Sequence, residues 1–116
     1  MGQFGGDYPK ILKWVKLPII STEKCKQSGY AKAPYGSGTI GDDNICAGSG
    51  EGGKSPCHGD SGGPLVCQKG NSAVITGVVS WGKLPCGSSS VYPGIFAKVT
   101  YFLDWIKANM VILLFF

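Results

Sequence analysis

Residues 57–67 read Cys-His-Gly-Asp-Ser-Gly-Gly-Pro-Leu-Val-Cys, and Ser61 stands at the centre of this stretch. Gly59 precedes the serine by two positions, and two more glycines follow it directly. Glycine is costly in backbone entropy, so three glycines around one serine indicate a turn in which the backbone comes close to another group. Neighbouring N–H groups in such a turn can stabilise a developing oxyanion. The same residue types also form ordinary tight turns, here leading into a buried strand at 65–67.

The composition favours one small all-β domain. The chain has 116 residues, of which 19 are glycine, and glycine usually makes up only about 7% of a protein. The net charge of +4 comes from 11 lysines, which are scattered, and there is no arginine. Arginine is the preferred residue for paired contacts to phosphates and bases, so we expect no nucleic-acid partner.

Five cysteines without a Cys-x-x-Cys spacing predict disulfides in an oxidising compartment and no metal site. The odd number means that one thiol is free or that its partner lies elsewhere. The first residues, Met-Gly-Gln-Phe, lack the basic start and apolar stretch of a secretory signal. We therefore expect a fragment of a secreted protein, with no signal peptide in this chain.

Apolar runs and alternation predict strands at residues 11–20, 44–47, 64–68, 73–81 and 95–99. A short helix is expected after Ser21, ending near Gly29, and a second from the cap Thr100 to about Asn109. In the second helix one apolar face is predicted for packing, formed by Phe102, Ile106 and Met110. Residues 29–43 predict an exposed loop, 69–72 a hairpin turn, and Gly77 a bend or bulge.

The last residues, 110–116, are all apolar. As a helix they would reach only about 10 Å against roughly 30 Å of bilayer core, so we expect no membrane span. A buried continuation of the helix and a non-native C-terminus both remain open. The predicted organisation is a domain over 1–109 and an apolar tail over 110–116.

The hexapeptide at 59–64, Gly-Asp-Ser-Gly-Gly-Pro, resembles the nucleophile loop of the chymotrypsin-like serine peptidases of the trypsin-fold, S1 type. Ser80-Trp81-Gly82, Tyr92-Pro93-Gly94, the strand at 95–99 and the ending Leu-Asp-Trp-Ile at 103–106 follow in the family's order. The resemblance covers about residues 5–109. It implies the second six-stranded Greek-key barrel of such a peptidase, with a C-terminal helix. Five predicted strands imply that the barrel lacks its first strand.

The resemblance also implies roles for residues of the central turn. Ser61 is similar to the nucleophile, and the N–H groups of Gly59 and Ser61 to the oxyanion hole. Asp60 resembles the carboxylate that pairs with a newly cleaved N-terminal amine and shapes that hole. Ser80, Trp81 and Gly82 resemble the segment that pairs with extended substrate backbone. Two family disulfides are implied, Cys25–Cys46 and Cys57–Cys86, and the implied partner of Cys67 lies on the missing strand.

One departure affects the chemistry. An activated serine needs an adjacent base that a third group orients. In the family this His and Asp belong to the first barrel, and the only histidine here is His58. Its neighbours Asp60 and Ser61 suggest a triad in the linear sequence, but a base must face the serine in space. We expect His58 to line the binding pocket.

The resemblance further identifies the primary specificity pocket. Ser55 is similar to the residue at its floor, where trypsin-like members carry an aspartate. Without that carboxylate, a buried Lys or Arg of a substrate would lack a charge partner. Gly82 and Gly94 resemble the pocket walls and leave room for a large apolar side chain. Pro56 departs from the small residue expected beside the floor and is expected to narrow or tilt the pocket.

These features predict a serine endopeptidase that acts by acyl transfer through Ser61, present as a partial chain and inactive by itself. No cofactor is needed. The expected partners are polypeptide substrates, the missing N-terminal barrel and protein protease inhibitors. The alternative is a non-catalytic, protease-like binding module whose groove serves only for docking.

Overall fold

A computed structural model of the chain describes residues 7–32, 34–36, 39–48, 52–87 and 91–110. Five strands form one antiparallel sheet in the order β1-β2-β5-β4-β3. The strands are β1 (Ile19–Ile20), β2 (Asn44–Ala47), β3 (Pro64–Lys69), β4 (Ser72–Trp81) and β5 (Gly94–Lys98). Two short α-helices accompany them, α1 (Thr22–Lys26) and α2 (Leu103–Asn109), together with a 3₁₀ turn at Gly29–Ala31. The predicted all-β fold with a C-terminal helix is confirmed.

The hairpin of β3 and β4 carries the central turn and the segment that faces it. Its two-residue connection is Gly70-Asn71, and Gly70 has the positive φ of 60° that tight hairpins require. Leu65 pairs with Gly77 but Val66 pairs with Ile75, so the predicted bulge is present and its extra residue is Thr76. Bulges of this kind bend a strand and increase its twist.

The core lies where α1, the 3₁₀ turn and the β2–β5 pair meet. Its buried side chains are Cys25, Tyr30, Ile40, Cys46 and Ile95. The expected Cys25–Cys46 disulfide is formed there and ties α1 to β2, with its Cα atoms 6.3 Å apart. The prediction that residues 29–43 form an exposed loop is therefore wrong for Tyr30 and Ile40, because both side chains are almost fully buried.

The predicted strand at 11–20 is the largest error, because only Ile19 and Ile20 pair, with Cys46 and Ala47 of β2. A strand extends only as far as its partner, and β2 ends at Ala47, the residue that pairs with Ile19. Pro18, the residue before β1, has no N–H to donate and only accepts a bond at its carbonyl, from the Gly48 N–H at 3.0 Å. Residues 11–18 thus have the composition of a strand but form no regular structure.

The helix boundaries also differ from the predictions. Ser21 does cap α1, its side chain accepting a bond from the Lys24 N–H at 3.3 Å, but the helix ends at Lys26, before the predicted Gly29. Thr100 does not cap α2, because a turn closed by a bond from the Phe102 N–H to the Val99 carbonyl comes first. Helix α2 therefore begins at Leu103.

The predicted packing face of α2 is only partly formed. Phe102 and Ile106 are half-buried, and Met110 is exposed. Residues 111–116 of the predicted tail lie outside the described residues. In the part of the chain that the structure describes, no helix has the length and apolar character needed to cross a bilayer.

The sheet has two outer strands, β1 and β3, with no strand between them among the described residues. Valine and isoleucine side chains near the β3 edge are exposed, among them Val66 and Ile75 at 51% and 53%. Cys67 on β3 is half-buried and forms no disulfide. The described residues thus form an open five-stranded antiparallel sheet, which agrees with the predicted partial barrel.

Candidate active site

The central turn is folded by its own backbone and fastened to β4. The Asp60 N–H donates to the Cys57 carbonyl at 3.0 Å, and the Gly63 N–H donates to the Asp60 carbonyl at 2.9 Å. The backbone of Val79 in β4 fixes the other side of the turn. Its carbonyl accepts from the Gly62 N–H at 3.0 Å, and its N–H donates to the Gly63 carbonyl at 2.9 Å. Ser61 is thereby placed at the exposed apex between two hydrogen-bonded segments.

Glycine is required at two positions of this turn. Gly59 and Gly62 have φ values of 90° and 83°, in the left-handed region that other residues rarely adopt. Within the described part of the chain, the N–H groups of Gly59 and Ser61 donate to no hydrogen-bond acceptor. An acceptor that reaches either N–H group can therefore bind it without breaking a bond of the turn.

The carboxylate of Asp60 is hydrogen-bonded within the central turn. Its Oδ2 accepts a hydrogen bond from the Cys57 N–H at 2.8 Å, and its side chain is exposed. This contact joins residues three apart, as polar side chains at turns commonly do. The carboxylate is thus bound locally in this structure.

Tyr8 packs on the turn, a contact that sequence analysis did not predict. A Cβ atom built on Gly59 would lie only 2.7 Å from the Tyr8 ring atom Cε1. The ring therefore covers the glycine that carries one of the two apex donors. No local sequence signal marks Tyr8, because it precedes Gly59 by about fifty residues.

A cavity of about 230 Å³ opens beside Ser61. Two segments form most of its wall, residues 56–58 and residues 79–84. The expected Cys57–Cys86 disulfide is formed and joins the two sides, with its Cα atoms 5.5 Å apart. The structure thus brings five of the predicted site residues to one cavity: His58, Ser61, Ser80, Trp81 and Gly82.

Ser55 and Gly94, the predicted floor and wall, are not among the residues that line this cavity. Gly94 is buried, and a Cβ atom built on it would lie 2.6 Å from Cδ of Pro56. The Pro56 ring therefore fills the space beside Gly94, and the Ser55 hydroxyl donates to the Pro56 carbonyl at 3.1 Å. The departure at Pro56 thus accounts for the absence of Gly94 from the cavity wall.

A buried tyrosine holds the second wall in place. The hydroxyl of Tyr30 accepts a bond from the Lys83 N–H at 2.9 Å and donates to the Pro93 carbonyl at 3.0 Å. Its ring meets the edges of Trp81 and Tyr92, with centroids 4.9 and 5.0 Å apart. Burial raises the pKa of the Tyr30 hydroxyl to about 12, so it stays protonated and keeps its donor.

The arrangement joins an exposed serine, a glycine turn with two unused N–H donors, and a cavity between disulfide-linked walls. A serine beside free backbone N–H donors and a cleft is the arrangement that acyl-transfer sites of serine peptidases use.

Comparison with known proteins agrees with this class. The family model described as Trypsin matches residues 1–106. Trypsin-1 of Astacus astacus is 44% identical over 107 residues, which cover 92% of this chain and 42% of that protein. Kallikrein-1 of Mus musculus is 40% identical over 104 residues, covering 90% of this chain and 35% of that protein. Trypsin eta of Drosophila melanogaster is 43% identical over 95 residues, 82% of this chain and 32% of that protein.

The chain belongs to the trypsin family of serine peptidases. It spans less than half the length of each of these three relatives.

Proposed function

We propose that residues 1–109 are the part of a serine endopeptidase that carries the nucleophile, the oxyanion hole and one side of the substrate cleft. The observation that carries this proposal is the exposed Ser61 beside the cavity, in a turn whose Gly59 and Ser61 N–H groups have no acceptor among the described residues.

In the proposed reaction the Ser61 hydroxyl oxygen attacks the scissile carbonyl carbon, and its proton passes to a base. The carbonyl oxygen becomes an oxyanion that accepts hydrogen bonds from the N–H groups of Gly59 and Ser61. Collapse of this intermediate releases the amine with the proton returned by the base and leaves an ester on Ser61. Water then hydrolyses the ester by the same steps.

The proposed base lies outside residues 1–116. His58 is the one histidine in this chain. It precedes Ser61 by three positions and lines the same cavity. A base needs a third group to orient it. The resemblance assigns both the histidine and its aspartate to the first barrel, and His58 to the pocket wall.

Asp60 is proposed to change partner when the enzyme is complete. In this structure its carboxylate accepts from the Cys57 N–H, within the turn. Pairing with a cleaved N-terminal amine would replace that bond by a charge-assisted one and hold the oxyanion hole in shape. The local bond is therefore assigned to the form that precedes activation.

The proposed substrates are polypeptides with an apolar residue before the scissile bond, whose size is limited by the Pro56 ring beside Gly94. Ser55, the floor residue implied by the resemblance, carries no charge, and none of the residues that line the cavity is acidic. A substrate Lys or Arg would be desolvated there without a partner. The walls include the apolar side chains of Pro56, Val79, Trp81 and Leu84.

Two disulfides support an extracellular location for this protein. The proposed partners besides substrates are the N-terminal barrel that supplies the base and protein protease inhibitors that occupy the cleft. The alternative of a non-catalytic binding module uses the same groove without the base.

The test is titration with a fluorophosphonate probe, which reacts only with an activated serine. We compare the 116-residue chain with a chimera in which the preceding half of Trypsin-1 from Astacus astacus, processed to free its N-terminal amine, is joined to it. We expect no labelling of the chain alone and one label per molecule for the chimera. Ser61→Ala in the chimera removes the label, and Ser72→Ala, in an exposed hairpin, is the matched control.

A chimera that unfolds cooperatively but takes no label would contradict the proposal and favour the binding module. Labelling of the isolated chain that Ser61→Ala abolishes would place a base within these residues. His58 would then be that base, and its assignment to the pocket wall would be wrong.

A further inference from the structure

One wall of the cavity carries a positive charge that the catalytic proposal does not use. Lys83 lines the cavity directly after Trp81 and Gly82 and is half-buried. It is the only Lys, Arg, Asp or Glu among the described residues that line the cavity. In the described part of the chain, no carboxylate forms an ion pair with its ammonium group.

Both ends of this lysine are held in place. Its backbone N–H donates to the buried hydroxyl of Tyr30. Its Nζ lies 5.6 Å from the ring centroid of Tyr35 and 5.5 Å from that of Tyr92. Cations at such distances from aromatic faces are attracted to them, although the rings supply no full negative charge. The ammonium is therefore held over two aromatic rings, on a residue that lines the cavity, and is paired with no carboxylate among the described residues.

An extended peptide would bring a side chain to this charge. The proposed substrate segment pairs along Ser80, Trp81 and Gly82, and Lys83 is the next residue of the same wall. Successive side chains of an extended chain point to opposite sides. The side chain of one of the residues upstream of the scissile bond therefore faces Lys83. A carboxylate there gains an ion pair, and an ammonium there is repelled.

We propose that Lys83 is a specificity-determining residue that favours substrates with an Asp or Glu upstream of the scissile bond. The inference rests on the proposed function, because it assumes that an extended polypeptide occupies the groove. It adds the chemistry of a second substrate position to the apolar preference proposed for the primary pocket.

The experiment measures peptide binding to the 116-residue chain by fluorescence anisotropy. The probes are fluorescein-labelled hexapeptides of the form Ala-Ala-Ala-Phe-Ala-Ala, in which one of the first three alanines is Glu or Gln. For one of the three positions we expect the Glu peptide to bind about two- to fivefold more tightly than its Gln counterpart, the range for a partly exposed ion pair. The difference should shrink in 0.5 M NaCl.

Three variants distinguish an effect of Lys83 on the peptide preference from an effect of the net charge of the chain. Lys83→Gln should abolish the preference, and Lys83→Arg should keep it. Lys69→Gln removes an equal charge from the exposed end of β3 and should leave the preference unchanged. Circular dichroism and thermal unfolding of each variant show that the fold is retained.

Equal binding of the Glu and Gln peptides at all three positions would overturn this inference while leaving the proposed function standing. A preference that survives Lys83→Gln would overturn it as well. If no peptide binds at all, this chain does not form the groove and the inference fails, whereas the proposed function is decided separately by labelling of the chimera.

Discussion

The hydroxyl of Tyr30 accepts a hydrogen bond from the backbone N–H of Lys83 at 2.9 Å, although the two residues are 53 positions apart. The same hydroxyl donates to the Pro93 carbonyl, 63 positions from Tyr30. One buried side chain therefore joins the cavity wall at 81–83 to the segment that leads into β5. The position of the proposed specificity residue depends on this tyrosine.

Replacing Tyr30 by Phe should destabilise the chain by about 1–3 kcal/mol, because the Lys83 N–H loses its acceptor in a part-buried site. The ring and its packing against Trp81 and Tyr92 are retained in this variant. The measurement is urea unfolding followed by circular dichroism. Tyr101→Phe, at an exposed position, is the matched control and should change stability by less than about 0.5 kcal/mol. Equal effects of the two changes would contradict the assigned role.

The stability that the Tyr30 hydroxyl provides should depend on pH in a defined window. Burial raises its pKa from 10.0 to about 12, so the folded chain binds this proton more tightly than the unfolded chain. The contribution is complete below pH 10 and is lost as the pH rises from 10 to 12. The free-energy difference between the wild type and Tyr30→Phe should therefore shrink across this window. A difference that grows with pH would contradict the burial of the neutral hydroxyl.

Replacing Gly77 by Ala should destabilise the chain by about 1–3 kcal/mol through overpacking. A Cβ atom at this position would lie 3.0 Å from both Ile45 Cγ2 and Phe96 Cβ, inside the sheet beside the bulge. The Phe96 atom is attached to the backbone and cannot turn away. Gly82→Ala is the matched control, because its nearest neighbour would be the Tyr30 hydroxyl at 3.8 Å. Similar unfolding midpoints for the two variants would contradict this packing.

Cys67 should be the one cysteine that reacts with iodoacetamide in the unreduced chain, because the other four form two disulfides. Peptide mapping should recover the pairs Cys25–Cys46 and Cys57–Cys86. Closing loops of this length stabilises a chain by roughly 3 kcal/mol for each bond. Recovery of Cys67 bonded to any other cysteine of the same chain would contradict the assignment. Denatured chain alkylated without reductant serves as the control for access.

Sequence analysis alone predicted the sheet and the central turn, because both arise from local chemistry. The glycines around Ser61, the Gly70-Asn71 hairpin and the apolar runs in β4 can be recognised without a distant partner. Four of the five strands were found at or within one residue of their ends. The motif order further implied the two disulfides, and both are formed.

The tertiary structure alone decided which residues complete the site. The residues at 11–18 alternate like a strand but have no partner to pair with, whereas Tyr30, expected in an exposed loop, is buried in the core. Tyr8 on Gly59, Pro56 beside Gly94 and Lys83 over two tyrosine rings are contacts with side chains from other segments. A linear pattern records the conformation that each residue prefers locally. Burial and the position of a charge depend instead on neighbours that only the folded chain brings together.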